Sequence, residues 1–107
     1  MAELYSFNRS TRQSRPTFFD RSELNQLLSL YSRHVASGDW RDYAIDQRGG
    51  VARFCVFQHS MGRPLYTITK RPGGPEYHVY SGPERLKCAA SLGEALAIFE
   101  RHLQVVS

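Results

Sequence analysis

Little in this sequence serves disulfide or zinc chemistry. Its 107 residues hold two cysteines, Cys55 and Cys88, thirty-three positions apart and in no Cys-x-x-Cys pair. In a reducing compartment they are expected as free, buried thiols rather than a bridge. His34, His59, His78 and His102 are equally scattered, without the His-x-x-x-His spacing of a metal site. No metal or cofactor is therefore expected. The glycine-rich run Arg71-Pro72-Gly73-Gly74-Pro75 opens no helix, so the loop-to-helix arrangement that cradles phosphate is missing. No apolar run approaches the ~18 residues that span a bilayer, and no membrane partner is expected. Met1-Ala2-Glu3-Leu4-Tyr5 lacks the basic region and apolar core of an export signal, which makes the expected location cytoplasmic.

Charge of one sign is never concentrated either. The net +4 divides as +2 over residues 1–21, −1 over 22–48, +4 over 49–90 and −1 over 91–107. That permits an acidic partner but falls short of the basic stripe of a dedicated nucleic-acid binder. Residues 1–17 carry Arg9, Arg12 and Arg15 without apolar periodicity and are expected to form a flexible basic arm. Residues 18–107 are expected to form a single α+β domain, long enough to bury one core without staples.

What is present is strong punctuation. Asp20 and Glu23 have the spacing of a capping box, and Phe19 with Leu24 that of a hydrophobic staple. Leu24, Leu27, Leu28, Tyr31 and Val35 then repeat at helical spacing, with Leu30 at the margin, and Gly38 is placed to end the helix. This predicts a helix over 21–36. After Gly38 the period changes to two. Gly49-Gly50 reads as a two-residue hairpin turn, so that partner positions add to 99: Ile45 faces Phe54, Tyr43 faces Val56, and Asp46 faces Arg53. A slip of one residue would destroy both the apolar and the charged matches.

Further strands are predicted at 65–70, 77–81 and 85–89, separated by Pro- and Gly-rich loops. A second helix over about 92–104 carries Leu92, Ala95, Leu96, Phe99 and Leu103 behind a Ser91–Glu94 cap. The expected fold is thus α+β: a five-stranded antiparallel meander with an N-terminal and a C-terminal helix on one face. The covered face should carry Tyr43, Ile45, Phe54, Val56, Tyr66, Ile68, Val79 and Leu86. The uncovered face should carry Asp42, Asp46, Arg53, Cys55, Phe57, Thr67, Thr69, His78, Tyr80, Arg85 and Lys87.

Phe19-Asp20-Arg21-Ser22-Glu23-Leu24, Leu30-Tyr31, the run Trp40–Asp46 (WRDYAID), Pro64-Leu65-Tyr66 and Lys70-Arg71-Pro72 together resemble a bacterial family of short proteins built on a domain of unknown function. The resemblance spans roughly 18–103 and implies a bacterial protein but no activity.

The residues themselves offer no catalytic constellation. Cys55 and His59 lie about 13 Å apart along one strand, beyond hydrogen-bond reach. Cys55 with His78 is geometrically open, but Cys55 packed among Phe57 and Thr67 is the ordinary outcome. His34 and His102 are expected at solvated helix surfaces, and Asp46–Arg53 as a surface ion pair. Trp40 is expected to plug the core more than to make contacts. The expectation is a non-enzymatic binding or protein-interaction module whose partner is an unidentified protein or a second copy in a homodimer. Candidate contact residues are Trp40, Arg41, Asp42, Arg53, Phe57, His78, Tyr80 and Arg85. The alternative is nucleic-acid binding through the arginine arm and the basic outer face.

Overall fold

The computed structural model describes residues 17–59 and 62–106, with side chains of the last helix described as far as Phe99. The arm expected over 1–17 lies, except for Thr17, outside the described residues, as do the side chains of His102 and Leu103. Helix α1 runs over Arg21–Ala36 and starts as its cap predicts: Glu23 N–H donates to Asp20 Oδ1, and Asp20 N–H donates to Glu23 Oε1, both at 2.8 Å. At its end Ser37 N–H donates to the Arg33 carbonyl, and Gly38 takes φ +85°, where a side chain would be strained.

Five strands follow: β1 (Asp42–Arg48), β2 (Val51–Phe57), β3 (Tyr66–Lys70), β4 (Tyr77–Ser81) and β5 (Glu84–Ala89), then α2 (Leu92–Val106). They pair antiparallel in chain order, β1-β2-β3-β4-β5. The first hairpin has the predicted register, with Ile45 on Phe54, Tyr43 on Val56 and Asp46 on Arg53. Gly49 and Gly50 both have positive φ, +60° and +81°, the combination that a tight two-residue turn needs. Both helices cover one face: Leu27 and Leu30 of α1 and Leu92, Ala95, Leu96 and Phe99 of α2 join Phe54, Val56, Ile68 and Val79 in one buried cluster.

The details correct several expectations. The buried line of α1 is Glu23, Leu27, Leu30 and His34, so Leu30 is central and Val35 is 42% exposed. The apolar stripe read from the sequence is displaced because two of the four inward positions are polar. His34 is buried, not solvated. Tyr43, Ile45 and Leu86 lie on or near the covered face but stay exposed, since β1 and β5 are the sheet's edges. In β5 a bulge shifts the register between Val79–Lys87 and Tyr80–Arg85 and leaves Leu86 without a cross-strand partner. Lys87 therefore sits opposite inward-facing Val79 instead of lying on the outer face. Cys55 is a buried free thiol, but Cys88 is an exposed one.

Candidate functional site

Three polar arrangements compete for a functional role. The first is at the rim of the core. Glu23 of α1 accepts from Lys70 Nζ at 2.8 Å and from the Tyr77 hydroxyl, and Lys70 also donates to the Phe18 carbonyl at 3.0 Å. Burial acts to raise the Glu23 pKa, but the bonds from Lys70, Tyr77 and Asp20 outweigh it and leave it below the ordinary value. Burial, then the neighbouring carboxylate, push Tyr77 far above the usual tyrosine range. Every group here has its partner, so the network ties α1 to β3 and β4 and offers nothing outward. The sequence signal was available: period two places Lys70 on the covered face beside Ile68, where a lysine needs an anion.

The second arrangement is a cavity of about 360 Å³ at the end of α1, walled by His34, Trp40, Tyr66 and Phe99. The His34 ring stacks on Trp40 at 4.0 Å and 13°, and Phe99 meets Trp40 edge-on at 5.5 Å. His34 Nδ1 lies 3.3 Å from Asp39 Oδ2, an oxygen that Ser37 Oγ also reaches at 3.1 Å. Trp40, at 3% exposure, is thus a core residue that also forms the cavity wall. The principal polar groups here are already engaged with one another.

The third is the outer sheet face. Register sets its side chains in rows. One row crosses from Asp46 through Arg53, Thr69 and His78 to Cys88, and the next from Ala44 through Cys55 and Thr67 to Tyr80 and Arg85. Arg53 is held by a bidentate bond to Asp46, Nε to Oδ1 at 2.8 Å and Nη2 to Oδ2 at 2.7 Å, which lowers the Asp46 pKa. Thr69 and His78 are unexpectedly buried for an uncovered face, at 4% and 6% exposure. Three buried polar atoms here find no hydrogen-bond partner among the described residues: Thr69 Oγ1, His78 Nδ1 and Arg71 Nε. Arg71 continues the row's parity one step beyond the strand end, where its N–H donates to the Glu76 carbonyl.

His78 Nε2 lies 3.1 Å from the Pro75 carbonyl, so it carries the proton and Nδ1 is left as a lone pair. Burial lowers the His78 pKa; the Pro75 bond opposes this, and the charges of Arg71 and Arg85 add to the lowering. The tyrosine ring of Tyr80 lies nearly parallel to His78 at 6.2 Å.

Of the residues singled out by sequence, the outer face brings together Arg53, His78, Tyr80 and Arg85. Phe57 is half-buried on the same face next to exposed Asp42, its cross-strand partner. Arg41 is exposed just before β1, and Trp40 is turned inward. Phe57 and Tyr80 lie two strands apart with Thr67 between them, so they do not merge into one apolar patch. Cys55 and His78 sit two strands and one row apart, about 12 Å by strand spacing. Thr67 Oγ1 approaches Cys55 Sγ at 3.8 Å, and no Cys–His dyad forms. Among the described residues no three His, Cys, Asp or Glu side chains gather to hold a metal ion, and no helix is long and apolar enough to cross a membrane. Thr69 and Arg71 were missed, because only the register and the burial single them out.

No curated protein and no solved structure matches the chain. A family match does exist, running over residues 17–79 from the cap of α1 into β4, and it contains all of the motifs that carried the resemblance. The chain therefore belongs to the bacterial family described as "Protein of unknown function (DUF2794)".

Proposed function

We propose that this protein is a non-enzymatic binding module whose outer sheet face receives a partner at Thr69, Arg71 and His78. The observation that carries the reading is the set of unpartnered polar atoms there. A buried polar group without a bond costs about 1–3 kcal/mol, and three on neighbouring positions form a standing cost that a bound group would relieve. Their chemistry selects the group. Arg71 Nε can only donate, neutral His78 Nδ1 can only accept, and Thr69 Oγ1 can do either. An amide, which offers both a carbonyl and an N–H, suits all three, and a peptide segment supplies it. Reaching these buried atoms requires side chains around them to change rotamer, a motion of ps–ns type.

The test compares full-length wild type with Thr69→Val, which keeps shape and removes one orphan, as immobilised bait in extract of the host. A component retained by wild type and released by Thr69→Val supports the reading; identical retention refutes it. Titration with RNA and DNA at two salt concentrations separates the nucleic-acid alternative, since phosphate contacts must strengthen at low salt.

A further inference from the structure

The two edges of the sheet are built differently. β5 is interrupted by its bulge, a device that blunts an edge against pairing. β1 is seven residues long, pairs with β2 in an unbroken register, and has no strand on its other side among the described residues. Arg48 and Val51 flank a two-residue turn, so they form a hydrogen-bonded pair, and bonded pairs then alternate along the ladder. The N–H and C=O groups of Tyr43, Ile45 and Gln47 consequently point away from β2, toward the open edge. There the Asp42 carboxylate accepts from Tyr43 N–H at 2.8 Å and must turn to a partner's Arg48 for the edge to pair. Beside that edge, on the covered face, lies an apolar groove of about 250 Å³ lined by Phe18, Phe19, Leu24 and Ala52. Phe18 is 63% exposed and Ile45 47%.

We infer that β1 pairs with β1 of a second copy, antiparallel, about a two-fold axis at Ile45. Keeping the covered faces of both copies on one side restricts the register to partner numbers with an even total. A total of 88 sets Asp42 against Asp46, and 92 sets Asp46 against itself. A total of 90 sets Asp42 against Arg48 on both sides of the axis, Ile45 against Ile45, and Tyr43 against Gln47. Only the last pairs β1 over its whole length with no like charges directly opposite, and it keeps the outward-pointing groups of Tyr43, Ile45 and Gln47 all paired with one another. The charges that would repel a misregistered strand thus select one register of this same strand. The two grooves with their Phe18 side chains come to lie on either side of the Ile45 pair. This surface is separate from the outer-face residues Thr69, Arg71 and His78, so either reading can fail without the other.

Sedimentation and light scattering of the full chain give the test. Wild type is expected to be dimeric. Arg48→Asp and Asp42→Arg should each weaken dimerisation by about tenfold or more, each acting twice per dimer, and the combined Asp42→Arg/Arg48→Asp chain should recover it. Both positions are exposed, so thermal melts should show each variant folded. In a Cys88→Ser background, Ile45→Cys should form a disulfide-linked dimer on oxidation, whereas Gln47→Cys, whose partner is Tyr43, should not. A wild type that stays monomeric up to its solubility limit overturns the inference. So does a dimer indifferent to Arg48→Asp, or equal cross-linking by Gln47→Cys.

Discussion

Replacing Lys70 by methionine isolates the energetics that hold α1 to the sheet. Methionine fills the volume of the lysine stem but removes the cation 2.8 Å from Glu23 Oε1. The carboxylate keeps its bonds from Asp20 N–H and Tyr77 and loses its counter-charge in a place where its side chain is only 9% exposed. Breaking such a buried pair costs about 3–5 kcal/mol, because the cost is that of the charge left behind. Against a total stability of roughly 5–15 kcal/mol, this should lower the urea midpoint severely. At about 4–8 °C per kcal/mol, the melting temperature should fall by well over 10 °C.

The companion variant Glu23→Gln/Lys70→Met removes both charges while the glutamine side chain still accepts from Asp20 N–H. It should be more stable than Lys70→Met alone by about 1–3 kcal/mol. Urea denaturation followed by circular dichroism and by the fluorescence of Trp40, the chain's single tryptophan, measures all three chains. A cost below about 1 kcal/mol for Lys70→Met, or a double variant worse than the single, would refute the reasoning. The wild type carries a pH signature of the same network. The folded Glu23 pKa lies below its unfolded value of 4.5, so its contribution is complete above that value and is lost as pH falls through the folded pKa.

Other expectations follow from the same contacts. Leu30→Ala should cost about 2–5 kcal/mol and Val35→Ala within about 0.5, the reverse of what the sequence stripe implies, as chemical denaturation will show. Gly50→Ala, at φ +81°, should cost about 1 kcal/mol by thermal melting, while Gly49→Asn at φ +60° should cost less, since asparagine tolerates that region. Thr69→Val should raise the melting temperature, because it deletes a buried hydroxyl that has no partner among the described residues. His78 has its folded pKa below 6.5, so stability should decline as pH falls from 6.5 toward that lowered value; His78→Gln should flatten this part of the stability–pH curve.

Strands and turns were legible because their signals are local: Gly49-Gly50 and the Asp46–Arg53 match determine one register, and the structure has it. The caps of α1 were legible for the same reason. The face of α1 was not. Glu23 and His34 face inward only because Lys70, Tyr77 and Trp40 wait there, and those meetings span 47, 54 and 6 positions. The bulge in β5 was equally invisible, since Arg85-Leu86-Lys87 alternates well enough to read as a regular strand. On the outer face the sequence supplied Arg53, His78, Tyr80 and Arg85 by parity. Parity placed Thr69 there too, but the sequence could not single out Thr69 or Arg71, whose interest lies in what fails to reach them.

The bulge in β5 also sets a limit on size. A sheet with two regular edges can recruit a neighbour at each end, and each newcomer brings a fresh edge, which is how fibres grow. Here one end is kinked by an extra residue and the other is straight. Two chains that join straight end to straight end leave only kinked ends outside. On the proposed β1 pairing, growth by edge addition would terminate at two, and the irregular strand would act as a stop codon for assembly, written in backbone geometry.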